Sequence, residues 1–118
     1  LLAKQAHYVA TSYSSNLLKR IVAFGLGNRG RCDVFSGDSG IVLVRKGEPD
    51  LAIETKAIIS VELADHAIDR GVEADGLIRI NWLNGEIQVS TFIRAATRQQ
   101  QKMIFQKFHS LAAKEAIK

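Results

Sequence analysis

Residues 25–30, with the sequence GLGNRG, match the G-x-G-x-x-G spacing at which a backbone turn approaches the phosphates of a dinucleotide. Asp50 follows about twenty residues later, where that motif carries the acid that binds a ribose. The motif also requires a helix that opens at its third glycine. Because a β-like run follows Gly30, we interpret residues 25–30 as a glycine-rich loop and expect no dinucleotide or other cofactor.

Residues 37–40, Gly-Asp-Ser-Gly, match the segment around the nucleophile of chymotrypsin-like proteases. That chemistry needs a histidine base, an aspartate that orients it and a double barrel of about twice this length. The histidines at positions 7, 66 and 109 stand in no supporting context. We therefore predict a tight turn between strands at residues 37–40. No nucleophile–base or acid–base pair has a supporting spacing, so we expect no catalytic residues and no enzymatic activity.

Two further groups of residues could bind a metal or react. Asp65, His66 and Asp69 could place two ligands on one helical face, but a third strong ligand nearby is missing, so we expect no metal site. Cys32 follows Arg31, and a neighbouring cation can activate a thiol. A single cysteine in a strand is more commonly a small buried residue, and we predict that role for Cys32.

The basic residues give the best candidate for ligand binding. Lys19 is followed after nine residues by Arg29-x-Arg31, which fits the loose pattern of phosphoinositide-binding domains. If the loops that carry these residues share one end of a barrel, their cations converge and can hold a multivalent phosphate by charge-assisted hydrogen bonds. The predicted binding residues are Lys19, Arg20, Arg29, Arg31 and Lys46. The alternative is that they are solvated loop cations.

The 118 residues carry a net charge of +4, which is unevenly distributed. Residues 1–46 sum to +5, residues 47–93 to −6 and residues 94–118 to +5. Long-range attraction to phosphate depends on one basic face, which this distribution does not guarantee. The chain also has no aromatic-rich motif of the kind that stacks RNA bases, so we expect no nucleic-acid partner. One cysteine excludes an internal disulfide framework.

Most of the chain has the period-two alternation of β-strands. About seven strands are predicted, at residues 8–13, 31–35, 41–45, 51–54, 58–63, 77–83 and 86–92. Asn84-Gly85 lies between the last two, and this pair is the strongest short signal for a hairpin because both residues tolerate positive φ.

The period becomes helical from Thr97 onward. One apolar stripe is formed by Ile104, Phe105, Phe108, Leu111 and Ala112. Thr97 with Gln100 fits a capping box at the start of this helix.

Strands joined by short connections pair antiparallel, and seven of them curl into a barrel or pack as two sheets. The apolar stripe of the helix must cover something apolar, and an open barrel end is the natural recipient. The prediction is a mainly β protein with one C-terminal helix, a pleckstrin-homology-like (PH-like) barrel of about seven antiparallel strands capped by the helix. The alternative is another small barrel with its helix placed elsewhere.

Several ordered blocks resemble the PH-like domain of actinobacterial membrane-anchored proteins, often labelled transporter or export or membrane protein. The blocks are residues 8–11 (YVAT), 20–23 (RIVA), 26–31 (LGNRGR), 40–45 (GIVLVR), 47–53 (GEPDLAI), 69–72 (DRGV) and 75–82 (DGLIRINW). Two departures stand out. Thr55 occupies a position where the resemblance leads us to expect proline, and residues 89–92 (VSTF) lack an expected Asp-Thr pair.

The resemblance implies a PH-like fold at residues 8–118, with residues 1–7 as a linker from a missing N-terminal segment. It also implies a transmembrane helix before Leu1 and a domain on the cytoplasmic face of the cell membrane. No catalytic residue comes with it. We expect a non-enzymatic binding or scaffolding domain whose ligand is a protein or peptide partner. The alternative ligand is an anionic phospholipid headgroup or membrane surface, and self-association through strand edges is a further expectation.

Overall fold

The computed structural model describes residues 3–21, 26, 29–64 and 76–117, with side chains for all of these except 3–4, 16–20 and 113–117. Within these residues, eight strands, one short 3-10 helix and one α-helix follow each other. They are β1 (Ala3–Tyr13), β2 (Asn16–Arg20), β3 (Gly30–Gly37), β4 (Gly40–Arg45), β5 (Leu51–Glu54), the 3-10 helix (Thr55–Ala57), β6 (Ile58–Ala64), β7 (Leu77–Asn84), β8 (Ile87–Arg94) and α1 (Arg98–Ile117).

The strands form one antiparallel sheet in the order β5-β4-β3-β1-β8-β7-β6, with β2 paired to β1 beside this path. β1 is central because its first half, Ala3 to Tyr8, pairs with β3 and its second half, His7 to Tyr13, pairs with β8. The predicted fold class is thereby confirmed: seven strands along the path, all antiparallel, followed by a single C-terminal helix. Within the described residues the sheet is not closed, and β5 and β6 are its two ends.

The predicted hairpin between β7 and β8 is confirmed, but its turn is shifted by one residue. Asn84 pairs with Ile87, so Gly85 and Glu86 are the two central turn residues. Gly85 has a φ of 68°, which a two-residue hairpin with glycine in first place requires. This register sets Trp82 opposite Val89, and both are buried. A slip by one residue would turn both to the opposite face.

Residues 37–40 form the predicted tight turn. Gly37 pairs with Gly40, leaving Asp38 and Ser39 at the tip. The Thr55 N–H donates to the Ser39 carbonyl at 3.0 Å, and the Thr55 hydroxyl donates to the Asp38 carbonyl at 2.8 Å. Proline, which the resemblance leads us to expect at position 55, has no N–H and could not make the first of these bonds. Thr55 makes both and thereby joins the β3–β4 turn to the 3-10 helix.

The helix covers the sheet with its predicted stripe. Ile104, Phe108 and Leu111 are at most 1% exposed, and Phe105 packs against the same core at partial burial. α1 lies against β6 and the 3-10 helix. Thr97 Oγ1 accepts the Gln100 N–H at 3.1 Å, which is the first half of the predicted capping box. The second polar contact at this helix start differs from the prediction: Gln101 Oε1 accepts the N–H of Ala95, two residues before Thr97, at 3.1 Å.

A chain of buried hydrogen bonds crosses the core between β1 and β8. The Tyr8 hydroxyl donates to the Leu26 carbonyl at 2.6 Å and lies 2.6 Å from Thr11 Oγ1. Thr11 Oγ1 lies 2.9 Å from Thr91 Oγ1, which accepts the Trp82 indole N–H at 2.9 Å. Trp82 is a core residue, and its indole N–H has its hydrogen-bond partner inside the protein.

Candidate functional site

The Gly-rich segment that matched a dinucleotide motif has its last glycine at the start of a strand. Gly30 opens β3 and pairs with Tyr8, whereas the motif needs a helix there. The preceding residues of the segment lie partly outside the described ones. Because a strand and not a helix begins at Gly30, we keep the interpretation of residues 25–30 as a glycine-rich loop.

The residues considered as metal ligands, Asp65, His66 and Asp69, lie outside the described residues. In the described part of the chain, no three His, Cys, Asp or Glu side chains are grouped closely enough to hold a metal ion. The single α-helix of the described residues is not apolar enough to cross a membrane.

Cys32 lies in β3 at 2% exposure, as predicted for a small buried residue. The pKa of its thiol is raised from an ordinary 9.0 to about 11, mainly by burial and also by the neighbouring Asp33, while Arg45 acts in the opposite direction. The thiolate is the reactive form, so this environment makes the side chain inert at neutral pH.

The raised thiol pKa gives a testable pH dependence. The folded state holds the Cys32 thiol proton more tightly than the unfolded state does. The resulting contribution to the free energy of unfolding is fully present below pH 9 and is lost as the pH rises through 11. We expect the free energy of unfolding of the wild type to fall by about 1 kcal/mol more than that of Cys32→Ala between pH 8 and pH 10. Urea unfolding at both pH values measures this difference. Parallel pH profiles of the two proteins would contradict it.

The five predicted cations are brought together only in part. Arg31 and Lys46 are neighbours, because the Lys46 N–H donates to the Arg31 carbonyl at 3.0 Å. Arg29 and Arg31 line one groove, and all three side chains are exposed. The Arg20 backbone pairs with Ser12 on the other half of β1, and the side chains of Lys19 and Arg20 lie outside those described. Convergence of all five therefore stays a prediction.

One cation near this group has a structural role that the sequence did not indicate. Arg45, next to Lys46, is only 5% exposed. Its guanidinium lies 4.7 Å from the centre of the Tyr8 ring, and its Nε donates to the Pro49 carbonyl at 3.1 Å. Arg45 thus fastens the loop between β4 and β5 to β1. Arg45 and Lys46 are adjacent in the sequence. The strand register sets Arg45 opposite Cys32 on the inner face, whereas Lys46 is exposed.

Two concave surfaces meet at the end of β8. The first, which we call the helix groove, has a volume of about 470 Å3 and lies between β6, the 94–97 connection and the first two turns of α1. Its apolar lining comes from Leu63, Ala95, Ala96 and Phe105. Its cations are Arg94, Arg98 and Lys102, all exposed, and none of its lining residues in the described part of the chain is acidic.

The second surface, which we call the strand groove, has a volume of about 520 Å3 and lies across β1, β3 and β8. Its charged lining residues are Arg29, Arg31 and Arg94, joined by the titratable His7. Sequence reasoning missed His7 and Arg94 as members of a site. They are far apart in the chain and meet only because His7 pairs with Arg94 across the β1–β8 ladder.

The comparisons with known proteins agree with this architecture. Residues 1–109 match the model of a family described as Bacterial PH domain-like, and no curated protein matches the chain. The match covers all eight described strands and the first part of α1, including the described residues of both grooves. A PH-like domain of this kind suggests a binding or scaffolding module. A sheet built around β1, a single terminal helix and a family match over most of its length place the chain in the Bacterial PH domain-like family.

Proposed function

We propose that this domain is a non-enzymatic binding module and that it holds an extended acidic segment of a partner protein in the helix groove. The carrying observation is the lining of that groove by the described residues: apolar side chains at its base, three exposed cations, and no acid among those residues. A segment that alternates apolar and acidic side chains matches both halves of this surface, because opposite charges steer its approach and apolar contacts hold it.

The neighbouring strand supports an extended conformation for this ligand. β6 is the last strand of the described order, so only β7 pairs with it along that path. Leu63 of β6 lines the groove and is 38% exposed. Peptides commonly bind by adding a strand to such an edge while their side chains enter adjacent pockets. A segment laid beside β6 would reach Phe105 and Lys102 of α1.

The test uses a synthetic ten-residue peptide of alternating Leu and Glu, with the same peptide carrying Lys in place of Glu as its control. We expect the acidic peptide to bind in a fluorescence anisotropy titration, more weakly as salt is added. Lys102→Glu should weaken binding about tenfold or more, because it reverses one charge in the groove. The matched variant Lys107→Glu changes the same charge on the same helix outside the groove and should bind like the wild type.

Two outcomes would overturn this proposal. One is equal affinity for the acidic and the basic peptide. The other is an equal loss of binding in Lys102→Glu and Lys107→Glu. Analytical ultracentrifugation of the free domain separates partner binding from self-association through β5 or β6, which is the other use of an open sheet edge.

Membrane attachment belongs to the same proposal and rests on the family resemblance. A tether on the cytoplasmic face would hold the helix groove near other proteins at the membrane. Fractionation of cells that express the full-length gene product tests this: the domain should sediment with membranes and be released by detergent but not by salt or carbonate. Recovery in the supernatant without detergent would contradict the tether and leave the peptide test unaffected.

A further inference from the structure

One face of the sheet at β6, β7 and β8 carries charged side chains in a cross-strand row. Arg79 of β7 lies opposite Glu62 of β6 and opposite Phe92 of β8. Residues opposite each other in an antiparallel ladder point to the same face, with Cβ atoms about 5 Å apart. Ile78 and Ile80, on either side of Arg79 in the chain, belong to the core cluster. The charged row therefore lies on the face that points away from the core, which we call the outer face.

The guanidinium group of Arg79 is held in one orientation on this face. Its Nε donates to Asn81 Oδ1 at 2.9 Å and to Ser90 Oγ at 3.2 Å, and its Cζ lies 5.8 Å from the centre of the Phe92 ring. Ser90 and Phe92 belong to β8, so the side chain leans away from β6, and within the described residues it forms no ion pair with Glu62. A guanidinium that is already oriented loses little freedom on binding, so Arg79 suits a carboxylate that approaches from outside the chain.

Two exposed aliphatic side chains lie on the same face, further along β6 and β7. Leu83 follows Asn81 by two residues on β7 and is 41% exposed. The ladder between β6 and β7 has a register shift between Ile58 and Ser60, so Ile59 and Ser60 together oppose Asn81. Ile59 is 46% exposed. We call the acid, the cation and the two aliphatic side chains the outer patch: Glu62, Arg79, Ile59 and Leu83.

The charges of the outer patch fit a second copy of this chain better than another partner. One acid beside one cation leaves the patch without net charge, so neither a uniformly acidic nor a uniformly basic surface gains from it. A two-fold axis parallel to the strands exchanges the β6 side of the patch with its β8 side. Glu62 of each copy then faces the Arg79 guanidinium of the other, which leans towards β8, and Ile59 lies beside Leu83 in the same way. Packed sheets keep their strands nearly aligned, as this axis requires.

We propose that the outer patch is the interface of a symmetric homodimer, joined by two reciprocal ion pairs of Glu62 with Arg79 around a centre of Ile59 and Leu83 side chains. Forked guanidinium donors match the two oxygens of a carboxylate, and arginine is one of the residues that dominate interface energies. Four central side chains are few against the roughly 20–30 residues per side of a stable complex, so the dimer is reversible. No residue of the outer patch lines the helix groove, so this interface is distinct from the proposed ligand site.

Sedimentation equilibrium of the 118-residue chain, from micromolar to millimolar concentrations, tests the dimer. We expect the wild type to dimerise reversibly. Glu62→Arg and Arg79→Glu should each weaken the dimer about tenfold or more, because like charges then face each other across the axis. An equimolar mixture of the two variants should dimerise again, because one patch then carries only positive charge and the other only negative charge. Glu54→Arg makes the same change on β5, where the exposed pair with Lys56 contributes little, and should behave like the wild type.

Four results would overturn this proposal: a monomer at every concentration, a dimer that Glu62→Arg does not weaken, a mixture that associates no better than either variant alone, and an equal loss in Glu54→Arg, which would indicate pairing through the β5 edge. Circular dichroism checks that each variant folds. Leu83→Glu keeps the test decisive if Arg79→Glu does not fold, because Leu83 makes none of the hydrogen bonds that hold Arg79. Leu83→Glu should weaken the dimer about tenfold by placing a charge in its apolar centre, and an unchanged dimer would contradict the proposal.

Discussion

Phe108→Ala is expected to remove a large part of the folding stability of this domain. The Phe108 ring is completely buried in the core cluster, between the helix and the sheet. Truncating a buried phenylalanine to alanine costs about 3–5 kcal/mol, because transfer energy is lost and a cavity is left behind. Domains of this size are stable by only about 5–15 kcal/mol. Guanidinium unfolding followed by circular dichroism measures the loss.

The same helix supplies graded controls for this experiment. Met103 is 43% exposed, and Met103→Ala should change the free energy of unfolding by less than about 0.5 kcal/mol. Phe105 is partly buried, so Phe105→Ala should fall between the two. If Phe108→Ala and Met103→Ala cost the same, the helix does not cover the sheet in the way described here.

Gly40→Ala is expected to cost roughly 2 kcal/mol, through a backbone clash and without the loss of any contact. Gly40 opens β4 and pairs with Glu54 of β5. A Cβ at this position would overlap the carbonyl oxygen of Ile53, and the φ of 156° disfavours a side chain as well. The backbone of β5 cannot give way cheaply, because the ladder to β4 holds it. Urea unfolding of the variant measures the effect.

Gly37 provides the matched control at the other end of the same turn. It pairs with Gly40, yet a Cβ added to it meets nothing within 4 Å. Gly37→Ala should therefore leave the free energy of unfolding within about 0.5 kcal/mol of the wild type. A comparable loss in both variants would mean that the turn itself, and not the approach of β5 to β4, requires glycine.

The elements were predictable because their signals are local. Alternating side chains indicated most of the strands, and the stripe from Ile104 to Leu111 indicated the helix and its buried face. β1 begins at Ala3, earlier than the alternation predicted, because small residues such as Ala6 can be buried in a strand without a strong apolar signal. The turn of the last hairpin differs by one residue, because the register of Trp82 with Val89 outweighs the preference of Asn84 for the turn.

The candidate sites were predictable only in part. The spacing of basic residues selected Arg29, Arg31 and Lys46; Arg29 and Arg31 line one groove and Lys46 bonds to Arg31 through the backbone, and a binding role for them stays a prediction. No sequence pattern separated the exposed Lys46 from Arg45, which is buried over the Tyr8 ring. His7 and Arg94 carry no local signal, because they become neighbours only when distant strands pair.

By itself the sequence determined the class of this protein: antiparallel strands, a terminal amphipathic helix and a cysteine suited to burial. Those features depend on side-chain periodicity and turn chemistry, which act over a few residues. Only the tertiary structure decided which charges share a surface. Strand order and register set His7 between Arg31 and Arg94, and the docking of α1 beside β6 made a groove whose described lining residues include three cations and no acid. Pairing between distant strands is set by the packing of the whole core, so no short window of sequence contains it.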